Sequence, residues 1–387
     1  MGRLNMVTLE SWRSWARMLS IDGPFSSGAM ARRLAAIRDS PKTLYVSLIV
    51  SAIVLIPNAM PSADRRNVFA WDMLLLSGFA TLVAGLALAR NSRRRLERML
   101  DRLVHRGALT TVGPLADMKA ELEQNARVWK NAGAAIVALC VLVAFLVMIV
   151  MNWRTPRAGS LAGLCLFETA WAYVVGGYLG RMVANGRVGW YLKSKGASVS
   201  VFPGHVDGAA GLKPVGDFCL YQAMVVAIPG VFLAVWAFVI PAWPEPLMRN
   251  RYIQWMHPYM GLLALTLVIE VMAFLVPMWW FHREMREQKE HMLAQADELS
   301  SAIATIRTQL AGSKTAEQRN ELNEQLSFKT KQYWDIEHMP AWPVDASTIR
   351  KFTFRNAALI LPLVAEVSGL HENWVKLLQE TLGKMSA

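Results

Sequence analysis

His205 and Asp207 stand two residues apart in VFPGHVDGAAGLKPVGDF, a glycine- and proline-rich segment running from Val201 to Phe218. An imidazole and a carboxylate at that spacing could hold a divalent metal, orient one another, or cap helix ends. A metal would need further ligands, and only Asp217 is near in sequence. The reading favoured on the sequence is therefore structural. It makes Asp207 the N-cap of a short helix and puts His205 in a hydrogen bond. Gly208 and Gly211 give the backbone freedom to turn tightly.

A second group of chemically capable residues consists of acids inside apolar runs: Glu168, Glu270 and, nearer a run's edge, Asp72. A carboxylate at membrane depth is costly, so such residues face the protein interior and mark a polar pathway or a helix contact. Two readings stand side by side. One is a proton or cation relay; the other is a hydrogen bond that holds helices in register, with Trp171, Tyr173 and Trp236 as candidate partners. No Ser/His/Asp spacing, phosphate-binding loop or HExxH occurs. No enzymatic activity, cofactor or metal is expected. Cys140, Cys165 and Cys219 lack the spacing of a zinc site or a disulfide framework.

The elements that must position these residues are membrane helices. Of the 387 residues 54% are apolar, and the mean hydropathy is +0.26. Six stretches are long enough to cross roughly 30 Å of hydrocarbon. They are Thr43–Met60, Phe69–Ala89, Ala132–Trp153, Ala158–Gly180, Phe218–Pro241 and Met260–Phe281. Basic residues crowd alternate loops, including Arg90, Arg93, Arg94, Arg95, Arg98, Arg102 and Arg106, then Arg181, Arg187, Lys193, Lys195 and Lys213. The positive-inside rule then puts both termini and the His205 loop in the cytoplasm, with Trp153, Trp243 and Trp255 at the opposite interface. The net charge of +12 sits in this part of the chain, because from residue 281 onward 13 Lys/Arg face 14 Asp/Glu. The charge serves topology, and no nucleic-acid partner is expected. The bilayer itself is the expected partner, and no cleavable signal peptide is read.

The expected fold is an all-α membrane protein of about six transmembrane helices with a cytoplasmic helical hairpin and interfacial helices. Residues 1–42 form amphipathic helices, with Met6, Leu9, Trp12, Trp15 and Met18 on one face. The six-span domain covers 43–281, with cytoplasmic loops 90–131 and 181–217. In 282–338, Met285, Met292, Leu299 and Ile306 recur every seven residues, interleaved with Lys289, Ala296, Ile303 and Leu310. The register stops at Ala311-Gly312-Ser313, and Thr315 and Gln318 form a capping box for a returning helix. This hairpin could pair with itself, carry a homo-oligomer, or meet a cytoplasmic protein partner. In 339–387, Asp345 or Ser347 caps a helix whose apolar run Ala357–Val367 is too short to span alone. Interfacial or protein-buried placement is preferred for that run, and Trp374, Leu378 and Leu382 form a last amphipathic helix.

GHVDGAAGLKPVG (204–216) resembles the HPDxxGGLxxLG segment of a set of bacterial multi-pass membrane proteins whose function is not established. MPAWPVD (339–345) resembles their MPxWPxD-like stretch. The resemblance covers these two segments and the general layout. It departs at Val206, where the pattern has proline, and at Ala210, where it has glycine. It implies a bacterial inner-membrane setting; some such proteins accompany defence systems, which implies an effector role. The leading expectation is a channel-like or membrane-perturbing effector. A proton- or cation-coupled transporter, a membrane scaffold and a membrane metalloenzyme using His205 and Asp207 are the alternatives.

Overall fold

The computed structural model describes residues 72–150, 161–243, 246–253, 256–367 and 376–377. The expected first span, the amphipathic helices of 1–42, Trp153, Trp255 and most of the last helix lie outside the described residues. The described chain is mostly helical: α1 Met73–Arg90, α2 Ser92–His105, α3 Leu115–Val150, α4 Leu161–Gly186, α5 Val188–Ser194, α6 Lys213–Ala242, α7 Pro246–Ile253, α8 Met256–Gly312, α9 Ala316–Glu337 and α10 Ala346–Val367. The all-α expectation needs one small correction. β1 (Leu109–Thr110) and β2 (Ser198–Val199) pair antiparallel, joining two loops that the sequence leaves unconnected. Two residues per strand carry too little periodicity to read.

Among the described residues, four helical segments are long and apolar enough to cross a membrane: Met73–His105, Leu115–Val147, Lys213–Ala242 and a part of Met256–Gly312. α4 overlaps the fourth expected span and is not among them. Pro229 and Pro277 lie inside α6 and α8, which run through them unbroken. Neighbouring helices can absorb the freed backbone groups.

α3 and α4 meet where glycines remove side-chain bulk. A Cβ on Gly133 would lie 2.7 Å from Gly180 Cα, and one on Gly176 would lie 2.7 Å from Val137 Cβ. The pair Gly176-xxx-Gly180 thus presents a flat face to Gly133, which is how membrane helices gain close packing. α6 is the central helix. On one side it packs against α1, where Gly78 receives the Phe232 ring and Trp236 Nε1 donates to Ser77 Oγ at 2.9 Å. On the other it packs against α8 and α10.

α10 is longer than its apolar run suggested. It lies along the apolar part of α8, with Phe352 stacked on Phe274 at 4.1 Å and Leu359 and Leu363 clustered with Leu263. On the sequence, the run Ala357–Val367 is too short to span alone. The inward face of α10 carries Asn356 and Leu359, while Phe354, Leu361 and Val364 stay exposed.

Beyond the apolar segment, α8 continues as a charged shaft, and α9 runs back along it. Lys289 Nζ donates to the carbonyls of Glu337 (3.2 Å) and Met339 (2.6 Å), at the far end of α9. Met285, Ala296 and Ile306 on α8 and Leu322 and Ile336 on α9 are buried, whereas Leu293, off the seven-residue stripe, is exposed. Thr315 Oγ1 accepts from Gln318 N–H, as a capping box does.

Candidate functional site

The loop from 201 to 212 does not stand free. It sits in the largest described core cluster, formed by Met99, Leu100 and Leu103 of α2, Val188 and Leu192 of α5, Leu212, Phe218 and Cys219, and Met278, Phe281 and Met285 of α8. Full burial of each leucine here contributes on the order of 2 kcal/mol. The backbone reaches this packing through left-handed residues: Gly204, Gly208, Gly211 and also Ala210 at φ 51°. Ala210 is the position at which the resembled pattern carries glycine.

Asp207 is the loop's organising group, though not as a helix N-cap. α6 begins only at Lys213, and the carboxylate closes the loop upon itself. Asp207 Oδ1 accepts from the N–H groups of Ala209 and Gly211, each at 3.0 Å, and Oδ2 accepts from Arg106 Nη1 at 2.7 Å. His205 Nδ1 lies 2.9 Å from Asp207 Oδ1. Burial opposes ionisation of Asp207. The Gly211 and Ala209 N–H groups and His205 outweigh it and hold the carboxyl below the usual carboxylate range. Arg106 Nη1 also donates to Gly211 O at 3.3 Å, so one guanidinium ties α2 to the loop twice. Both carboxylate oxygens of Asp207 are thus occupied by partners within the chain.

The same region receives three other parts of the chain. Gln288 of α8 accepts from Val201 N–H at 3.1 Å and donates to Val199 O. Lys213 pairs with Asp345 at 2.5 Å, and Asp345 caps α10 through Thr348 N–H at 3.1 Å. Burial works against the Asp345 charge, but Lys213, Thr348 and Ser347 hold its carboxyl far below the usual range. Gly216 faces Pro343 and Val344, where any Cβ would collide. His282 stacks on Trp342 at 4.0 Å and bonds Ala341 O at 2.6 Å. The two sequence segments that carried the resemblance, 204–216 and 339–345, are thus in contact.

The intramembrane carboxylates do not gather at one point. Asp72 accepts from Leu75 N–H at 3.1 Å as the N-cap of α1, and from the Tyr252 hydroxyl at 2.6 Å. Glu168 is half-buried on α4; it and Asp72 both act electrostatically on Tyr259. Glu270 is completely buried on α8 and receives Asn356 Nδ2 at 3.4 Å. Trp236, one candidate partner of a carboxylate, is instead bonded to Ser77. Asn356 was missed, because a lone asparagine on a helix has no motif; its place on the face shared with Leu359 is the only signal it gives. Among the described residues no cluster of three or more His, Cys, Asp and Glu could hold a metal ion. No family model matches the chain, and no curated protein or solved structure matches it either.

Proposed function

We propose that the chain is a bacterial inner-membrane protein that acts without catalysis, as a channel-like or membrane-perturbing effector with a cytoplasmic sensing or assembly hairpin. Six spans are proposed, counting Thr43–Met60 and α4 with the four apolar segments described above. The charge bias puts the 90–131 and 181–217 loops and the α8–α9 hairpin on the cytoplasmic side. α10 runs toward the Met256 end of α8. A cytoplasmic C-terminus would therefore need residues 368–387 to turn back.

One observation carries this reading. α8 is a single helix of 57 residues that holds the buried carboxylate Glu270 in its apolar part and ends at the hairpin's tip. At its exit from the apolar segment it is clamped by the 201–212 loop and by 339–344. A helix is stiff on this scale, about 85 Å at 1.5 Å per residue. Self-association or a protein partner at the hairpin would therefore act on the membrane segment through one continuous helix, across Pro277.

Ion flux from liposomes holding the purified protein tests the proposal. Wild type is expected to release trapped ions, and Glu168→Gln or Glu270→Gln to change that release. No flux from wild type, in any lipid mixture in which it is folded, would count against a channel. The second reading, a proton- or cation-coupled transporter, is favoured by the burial of Glu270. It expects pH-driven substrate movement that Glu270→Gln abolishes.

A further inference from the structure

Glu270 lies where α6, α8 and α10 converge, with contacts on both sides of it. One turn earlier, Gly230 of α6 faces Thr266 of α8 and Leu359 of α10. One turn later, Phe274 stacks on Phe352. Asn356 Nδ2 points one hydrogen at Glu270 Oε1 and bonds Phe352 O at 3.0 Å. Two atoms of this contact are buried without a partner: Glu270 Oε2 and Asn356 Oδ1. Both are acceptors when the carboxyl is ionised, and acceptors buried without a donor stay unsatisfied.

We propose that Glu270 and Asn356 form a proton-binding latch that holds α10 against α6 and α8. One proton taken from water makes one O–H bond on Glu270 Oε2, and that hydroxyl donates to Asn356 Oδ1. Asn356 Nδ2 already donates to Glu270 Oε1, so the acid and the amide close a ring of two hydrogen bonds. Every buried polar atom of the contact then has a partner. Release of the proton returns it to water, removes the donor and places a charge at a buried junction. α10 is the element free to respond, since its outer face of Phe354, Leu361 and Val364 is exposed.

The neighbours of Glu270 suit a proton better than a metal cation. Hard divalent cations take about six or more oxygen ligands. Here there are three side-chain oxygens, one of which already accepts an N–H. Arg355 on α10 is the charged group whose field reaches Glu270, and it makes no ion pair with it. From Gln222 to Ala242, α6 carries no ionisable side chain, and from Leu262 to Phe281, α8 carries only Glu270. The latch does not depend on whether the protein conducts ions.

Infrared spectroscopy of the full-length protein in lipid bilayers, followed through a pH titration, tests the latch. A carbonyl stretch of a protonated carboxyl is expected in wild type near neutral pH. It should vanish in Glu270→Gln and shift to higher frequency in Asn356→Leu, where the acid loses its amide partner. Glu270→Gln rebuilds the ring as an amide pair, so its melting temperature should stay near that of wild type but lose the pH dependence of wild type. Glu270→Leu should melt lower. A band that survives Glu270→Gln, that ignores Asn356→Leu, or that is absent from wild type at every pH at which it is folded overturns the proposal. A band that disappears on adding sodium or potassium overturns it too, in favour of a cation site.

Discussion

At the scale of single residues, Asp207 makes the sharpest demand. Its carboxylate accepts from two loop N–H groups and from a guanidinium 101 residues earlier in the chain. Asp207→Ala should cost about 2–3 kcal/mol, the range for hydrogen bonds to a charged group. It would be read as a lower melting temperature and faster hydrogen exchange at the amides of Ala209 and Gly211. Asp207→Asn should cost less, because one oxygen can still accept from the backbone. The pH dependence follows from the lowered folded-state value. The contribution is complete above the unfolded carboxyl's value of about 3.9 and is lost as pH falls through the lower folded value. Loop protection should therefore persist at pH 5 and fail only below about pH 4; exchange that quickened already between pH 7 and 5 would contradict this assignment. The spacing of His205 and Asp207 was legible, since both sit in one short segment. Arg106 and, in the membrane, Asn356 were not. Each acts across 86 or more positions, and an arginine in a basic helix or an asparagine in an apolar one has no local pattern.

Helix pairs obey simpler rules, and two contacts test them. Where α3 and α4 cross, the position of a Cβ on Gly177 is 3.8 Å from Ala134 Cβ, the mean separation in a disulfide. Ala134→Cys with Gly177→Cys, in a chain whose Cys140, Cys165 and Cys219 are replaced by alanine, should therefore oxidise to an intramolecular bond. Adding Gly133→Val, which must push Gly180 away, should abolish that bond on non-reducing gels. The second contact is between the start of α6 and the 339–345 segment. A Cβ on Gly216 would stand 2.5 Å from Pro343 O and 2.6 Å from Val344 Cγ1. Gly216→Val should unseat that segment, read as new protease cleavage between Met339 and Asp345 while α8 and α9 stay intact. At this scale the sequence was informative wherever one period or one residue type decides. In the seven-residue stripe Met285 and Ile306 are buried and Met292 and Leu299 half-buried, while Leu293 beside it is exposed. α10 was harder: its apolar run Ala357–Val367 is short, while the helix starts back at Ala346 and packs on α8 through Phe352, Asn356 and Leu359.

The described molecule divides into an apolar bundle, a packed module at one end of it and a projecting shaft, with α8 common to all three. The span pattern made the bundle legible because burying apolar length needs nothing but composition. The module was not, because its core draws on α2, α3, α5, α6, α8, residues 108–109 and 197–212, and Met339 and Val344, regions whose apolar residues are few in each. The shaft differs from both in what it contributes. Between residues 296 and 330 no side chain enters the module's core cluster, which passes from Met285 directly to Met339. Met285 and Ile336 already bury the base of the shaft, and the pairing of 289 with 337 sets positions 295 and 331 opposite one another. Replacing 296–330 by a short Gly/Ser linker should therefore leave the module and bundle as they are. The expected readout is unchanged exchange protection at Ala209 and Gly211 and a melting temperature within a few degrees of wild type. Any self-association of the full chain, followed by light scattering in detergent, should be lost in the same variant. If the module melts instead, the shaft is part of the fold's core and not an arm for assembly.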